Sequence, residues 1–111
     1  VQGRDQENAD RLMSECLAIQ KAGAFSIVVE MIPAELAKEI SIALEIPTIG
    51  IGAGSECDGQ ILVWQDFAGL GDRSPKFVKK YLNLRESLQA AAVEYRSDVQ
   101  NGSFPAVDQQ F

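Results

Sequence analysis

The feature that most limits what this chain can fold into is the character of its apolar segments. Phe25 to Ile32 reads FSIVVEMI and Thr48 to Ile51 reads TIGI, rich in β-branched residues and without the apolar–polar alternation of a half-exposed strand. Segments of that kind read as strands covered on both faces, which belong to parallel sheets. Parallel strands need long crossovers, usually helices, and the flanking sequence supplies them. Over residues 5–22, Leu12, Cys16 and Ile19 fall at i, i+4 and i+7, with Met13 and Leu17 widening the stripe, and Gly23 stops the helix. After Pro33, the spacing of Leu36, Ile40, Ala43 and Leu44 predicts a second helix over 34–45.

Further along, Gln60–Trp64 reads as a third strand, and 66–75, with Gly69, Gly71 and Pro75, as a loop. Leu84, Leu88, Ala92, Tyr95 and Val99 form a helical stripe that Gly102 and Pro105 end, with 103–111 expected to be loosely held. The predicted order is α-β-α-β-β-α, or α-β-α-β-(short)-β-α if a helical turn lies in 54–60. Three strands make too narrow a sheet to cover their own faces. The expectation is therefore one part of a larger α/β body of the (β/α) barrel type.

Composition narrows the function. Hydrophobic residues make up 46% and charged residues 23%, ordinary globular usage that argues against disorder. The net charge of −6 disfavours nucleic acid and anionic membrane as partners. No apolar run reaches the roughly 20 residues of a membrane span, and no signal-peptide pattern opens the chain. Two cysteines, Cys16 and Cys57, lack CxxC partners, so they read as packing residues in a reducing, cytoplasmic setting. Histidine is absent, which removes Ser-His-Asp and Cys-His catalysis and leaves acid–base work to a carboxylate, Lys, Tyr or Cys. The start at Val-Gln-Gly-Arg, without methionine, gives the expectation of a processed or cut piece.

In parallel α/β architectures, function gathers at the carboxyl ends of the strands. Here those ends are Glu30-Met31-Ile32, Gly52-Ala53-Gly54-Ser55 and Gln65-Asp66. A carboxylate in an apolar strand costs several kcal/mol, on the order of 2 to 7, unless it is paired or protonated, so Glu30 needs a reason. That reason is either a structural salt bridge or hydrogen bond, or a catalytic role. IGIGAG, with glycines at 50, 52 and 54, fits neither GxGxxG nor a Walker A loop. It reads as a strand end where a ligand or another segment comes close to the backbone, or as tight packing at a barrel rim. Asp58, Asp66 and Asp72 read as solvated loop carboxylates or caps rather than metal ligands. Lys76, Lys79 and Lys80 read as a solvated face on the opening turn of a helix, and Trp64 as core.

Three stretches together carry a resemblance. They are VQGR at 1–4; VVE at 28–30 followed by PAELAK at 33–38; and IPTIGIGAG at 46–54 followed by CDGQILV at 57–63. In this order and spacing, with PKFVK at 75–79, the chain resembles the carboxyl-terminal portion of ketopantoate hydroxymethyltransferases. The resemblance implies an α/β chain that supplies the last three strands and helices of a (β/α)8 TIM barrel, with residues 1–111 as part of a single barrel domain. It implies transfer of a hydroxymethyl group from 5,10-methylenetetrahydrofolate to 3-methyl-2-oxobutanoate in pantothenate biosynthesis. Mg2+ would hold the oxo acid on ligands from the amino-terminal half of the barrel, leaving no metal ligand here. Glu30 matches the family's base for the C3 proton, and Gly52, Ala53 and Ser55 match possible rim contacts with substrate. A proton beside a ketone is weakly acidic, and apolar surroundings move a carboxyl towards the neutral pKa that suits a base.

The same resemblance places Val1 in a long active-site loop of the family, so a piece cut in that loop is expected. Such a piece would be active only beside its amino-terminal half and would be expected in a homo-oligomer. Two rival readings keep the fold and change the function. One is a non-catalytic α/β interaction module that pairs through an open sheet edge; the other is a different metal-dependent barrel enzyme acting on small oxo acids.

Overall fold

The computed structural model describes residues 1–111, which form two compact units, Val1–Leu62 and Val63–Phe111. The first contains α1 (Gln6–Lys21), β1 (Ile27–Glu30), α2 (Ala34–Ala43), β2 (Thr48–Ile51) and β3 (Gly59–Gln60). Helix α1 starts where Asp5 accepts from the Asn8 backbone N–H at 2.9 Å and from the Asn8 side chain at 2.7 Å. Those two bonds, the backbone one foremost, hold the Asp5 carboxyl below its usual range. Helix α2 is two residues shorter than its predicted span. Leu44 is already extended, and the N–H groups of Glu45 and Ile46 donate to Gln20 Oε1 at 2.7 and 3.1 Å instead of continuing the helix. Pro47 pushes the residue before it towards extended backbone as well.

The three strands are parallel, in the order β1-β2-β3. Ile27 and Val29 lie opposite Thr48 and Gly50, while Val28 and Glu30 lie opposite Ile49 and Ile51. Residues two apart share a face, so Ile27, Val29, Thr48 and Gly50 face one way. Both helices cover that face. Cys16 of α1 and Leu36, Ala37 and Ile40 of α2 close over Val29, with Ile32, Leu44 and Ala53 completing the core.

The other face is left open at β1 within this unit, since three strands and these helices supply cover on one side only. Val28 is 54% exposed and Glu30 is exposed, because both helices of this unit lie against the opposite face. Strand β1 is also shorter than the predicted 25–32: Phe25 is 88% exposed, and Met31 turns the chain out of the strand with φ 51°.

The predicted strand Gln60–Trp64 is corrected too. Only Gly59 and Gln60 pair with β2; the last bond of the ladder is Ile61 N–H to the Gly50 carbonyl at 3.0 Å. Past Ile51 the glycine run leaves the sheet, so residues 62–64 have no strand to pair with. Trp64 instead opens a short helix, α3 (Trp64–Phe67), and at 54% exposed it is not core.

The second unit holds α3, α4 (Leu84–Asn101) and a 3-10 turn, Val107–Gln109. Carbonyls at the end of α3 satisfy the first N–H groups of α4: Leu84 donates to Ala68 at 2.8 Å and Arg85 to Gly69 at 3.2 Å. Asp72 pairs with Arg85. Lys76, Lys79 and Lys80 lie before α4 rather than on its opening turn, and Lys79 sits 4.8 Å from the centre of the Tyr81 ring. The apolar stripe of α4 forms as predicted, yet Leu88, Tyr95 and Val99 stay about half exposed. In the tail the Phe104 ring meets Tyr95 edge-on at 5.3 Å, and Ala106 N–H donates to Gln109 Oε1 at 2.9 Å. No helix is long and apolar enough to cross a membrane.

Candidate functional site

Glu30 is the last residue of β1, at its carboxyl end, on the same sheet face as exposed Val28, half-buried Ile49 and buried Ile51. It is not the member of a structural ion pair: the two pairs in the chain are Arg11–Glu15 and Asp72–Arg85. Directly after it, Met31 adopts left-handed backbone, unfavourable for a side chain of this type by roughly 1–2 kcal/mol. Two bonds hold that turn. Met31 N–H donates to the Ile51 carbonyl at 2.9 Å, and the Met31 carbonyl accepts from Gln2 N–H at 3.3 Å. The Val1–Gly3 segment therefore lies across the end of the strand that carries Glu30.

A hollow of about 470 Å³ runs beside β1. All residues from Ile27 to Ile32 line it, together with Leu12, Cys16 and Ile19 of α1. Neighbouring residues of a strand point to opposite faces, so a hollow lined by every one of them follows the strand's edge. This is the edge of β1 that no strand pairs.

The glycine run forms the rim next to Glu30. Gly52 turns the chain with φ 63°, and Ser55 is exposed. Ala53 is 1% exposed and packs into the core, so a contact with substrate there would use its backbone. A Cβ on Gly54 would press into Ala34 at the start of α2, and one on Gly50 would lie 3.0 Å from Cys57 Sγ. Close packing thus accounts for Gly50 and Gly54, while Gly52 is half-buried and Ser55 exposed.

Asp58 is where reading the sequence fell short. It is exposed, as a loop carboxylate should be, but its Oδ2 accepts from Thr48 N–H at 2.8 Å and from Thr48 Oγ1 at 3.0 Å. Asp58 N–H donates back to Thr48 Oγ1 at 3.3 Å. The Thr48 N–H bond foremost, then its hydroxyl, holds the Asp58 carboxyl below its usual range. Fully buried Thr48 also meets Ser41 Oγ of α2 at 2.6 Å. The carboxylate draws the Thr48 proton, so Ser41 supplies the hydrogen of that contact, sharing it with the Ala37 carbonyl at 2.8 Å. The signal in the sequence was a Thr and an Asp at the starts of consecutive strands, visible only once those strands are known to be parallel neighbours.

The remaining candidates disperse. The expected third strand end, Gln65-Asp66, lies in α3 and is not at the end of a strand. Cys16 and Cys57 are free; burial foremost pushes the Cys16 thiol pKa up, away from reactivity. No three His, Cys, Asp or Glu side chains gather closely enough to hold a metal ion.

An exposed carboxylate at the end of a parallel strand, beside a glycine rim, is a site that many folds could offer. The deciding observation is that the pattern of the ketopantoate hydroxymethyltransferases matches residues 1–107. The chain belongs to that family. Among its relatives, the 3-methyl-2-oxobutanoate hydroxymethyltransferase of Frankia casuarinae is 51% identical over 112 residues, covering 100% of this chain and 38% of the relative. The protein of the same description from Streptomyces coelicolor is 53% identical over 107 residues, covering 96% and 37%. That of Moorella thermoacetica is 48% identical over 112 residues, covering 100% and 42%. The chain thus spans about two-fifths of the length of the curated relatives it matches. The family expected from the VQGR, VVE and IGIGAG segments is the family found.

Proposed function

We propose that this chain is the base-bearing portion of a 3-methyl-2-oxobutanoate hydroxymethyltransferase. In this reading Glu30 removes the C3 proton of the oxo acid, and the keto group beside C3 takes up the negative charge. Water opens the methylene bridge of 5,10-methylenetetrahydrofolate: both C–N bonds break, the two folate nitrogens take up the two protons of the water, and the carbon leaves as a one-carbon aldehyde. The C3 carbanion adds to that aldehyde carbon, and the alkoxide so formed takes back the proton that Glu30 removed from C3. In this reading Gly52 and Ser55, with the backbone of Ala53, contact the oxo acid at the rim.

Magnesium belongs to this reading as the ion that would polarise the oxo acid. The chain offers no cluster of three or more His, Cys, Asp or Glu side chains, and in this reading the ion's ligands come from other parts of the protein. The uncovered face carrying Val28 and Glu30, and the unpaired edge of β1, support a barrel in which further strands complete the sheet. The two free thiols suit a cytoplasmic location. The exposed stripe of α4 suits a homo-oligomer.

The observation that carries the reading is Glu30 itself: an exposed carboxylate at the carboxyl end of a parallel strand, on the face the helices leave open. In the intact protein, Glu30→Gln is expected to slow deuterium exchange at C3 by about 10² to 10⁴ while oxo-acid affinity stays within a few-fold. Exchange at the parent rate would remove Glu30 from the role.

A further inference from the structure

Strands β2 and β3 are parallel neighbours, yet only residues 52–58 connect them. A parallel crossover normally takes a dozen residues or more and includes a helix. A seven-residue one can return to the start of the next strand only by lying close against the strand it leaves. The structure shows how that is done. The crossover passes over Gly50, where Cys57 occupies the space a side chain would fill. Its early part is held by Gly54 against Ala34 and by Gln60 Nε2, which donates to the Gly54 carbonyl at 2.8 Å. Its far end is closed by Asp58 on Thr48. The near end of the same loop is the rim Gly52–Ser55, which follows Ile51, the residue opposite Glu30.

We infer that Asp58 and Thr48 are positioning residues for the oxo-acid site. Their mutual hydrogen bonds close the crossover, and so fix where the Gly52–Ser55 rim stands beside Glu30. The inference rests on the proposed function and adds to it, because neither residue touches substrate in this reading. Thr48 is fully buried and is tied to α2 through Ser41, so the anchor on which Asp58 closes is itself fixed. The roles separate by location. Glu30 stands on β1 and keeps its place when the clamp is opened, whereas the rim does not.

That separation sets the test, made on the intact protein by steady-state kinetics with the oxo acid varied and by C3 deuterium exchange. Thr48→Val and Asp58→Ala are expected to raise the KM for the oxo acid about tenfold or more, with the saturated exchange rate within about threefold of the parent. Thr48→Ser, which keeps the hydroxyl, is expected to restore the parent KM to within about twofold. A merely structural role would behave in the opposite way, lowering the active fraction and hence the apparent kcat while leaving KM unchanged; that result overturns the inference. Thr48→Val nearly preserves volume, so the comparison with Thr48→Ser decides the matter even if Asp58→Ala fails to fold. Failure of the underlying reading looks different again. It appears as parent-level exchange in Glu30→Gln, whatever the KM values of the clamp variants.

Discussion

Gly54 carries two constraints at once, a backbone φ of 81° and contact with Ala34 where a Cβ would stand. The first costs an alanine roughly 1–2 kcal/mol, and the second adds an overpacking cost of about 1–3 kcal/mol. Gly54→Ala should therefore lower the stability of the intact protein by about 2–5 kcal/mol, read from the urea midpoint; a loss below about 0.5 kcal/mol would show that the rim yields freely. Asp58 adds a dependence on pH. Its folded pKa is depressed, so its contribution is fully present above its unfolded value of about 3.9 and is lost as pH falls through the lower folded value. Between about pH 5 and pH 3 the parent protein should lose more stability than Asp58→Asn, measured by urea midpoints along the pH series. Asp5 has a shift of the same sign and is common to both proteins, so the difference between the two curves isolates Asp58. Glu30 stands out in the sequence because a charge interrupts an apolar run. Asp58 could not, because a loop aspartate looks the same whether water or Thr48 binds it.

At the scale of elements, reading was good where one local pattern decided the outcome. The α1 stripe, its stop before Gly23, strand 48–51 and the α4 stripe all follow from spacing within the segment. It was poor where a partner decided. Ile61, Leu62 and Val63 have strand-like side chains, but β2 has already turned away at its glycines, and the chain enters α3 instead. Helix α2 stops early because an amide of α1, that of Gln20, takes the next two N–H groups. The lysines before α4 were assigned to a helix whose start is set by carbonyls from α3, a cap that leaves no trace near the lysines themselves.

At the scale of the molecule, cover for both sheet faces is a demand of the sequence that this chain meets on one side only. The unbroken apolar run Ile27–Val29 demands cover on both sides, and the residues of this chain supply one. If further strands supply the other, Val28 is buried in the intact protein. Val28→Lys should then cost about 2–4 kcal/mol there, far beyond the ±0.5 kcal/mol typical of an exposed position. An unchanged urea midpoint would mean that the face stays open. The crossover between β2 and β3 has a consequence for how this stretch can vary over generations. A helical connection tolerates added or lost residues, since its ends can be relaid without moving the strands. Residues 52–58 have no such slack. Losing one would slide β3 by one position, carry Gln60 to the opposite face of the sheet and part it from the Gly54 carbonyl. Homologous sequences should therefore change letters in this loop far more readily than they change its length.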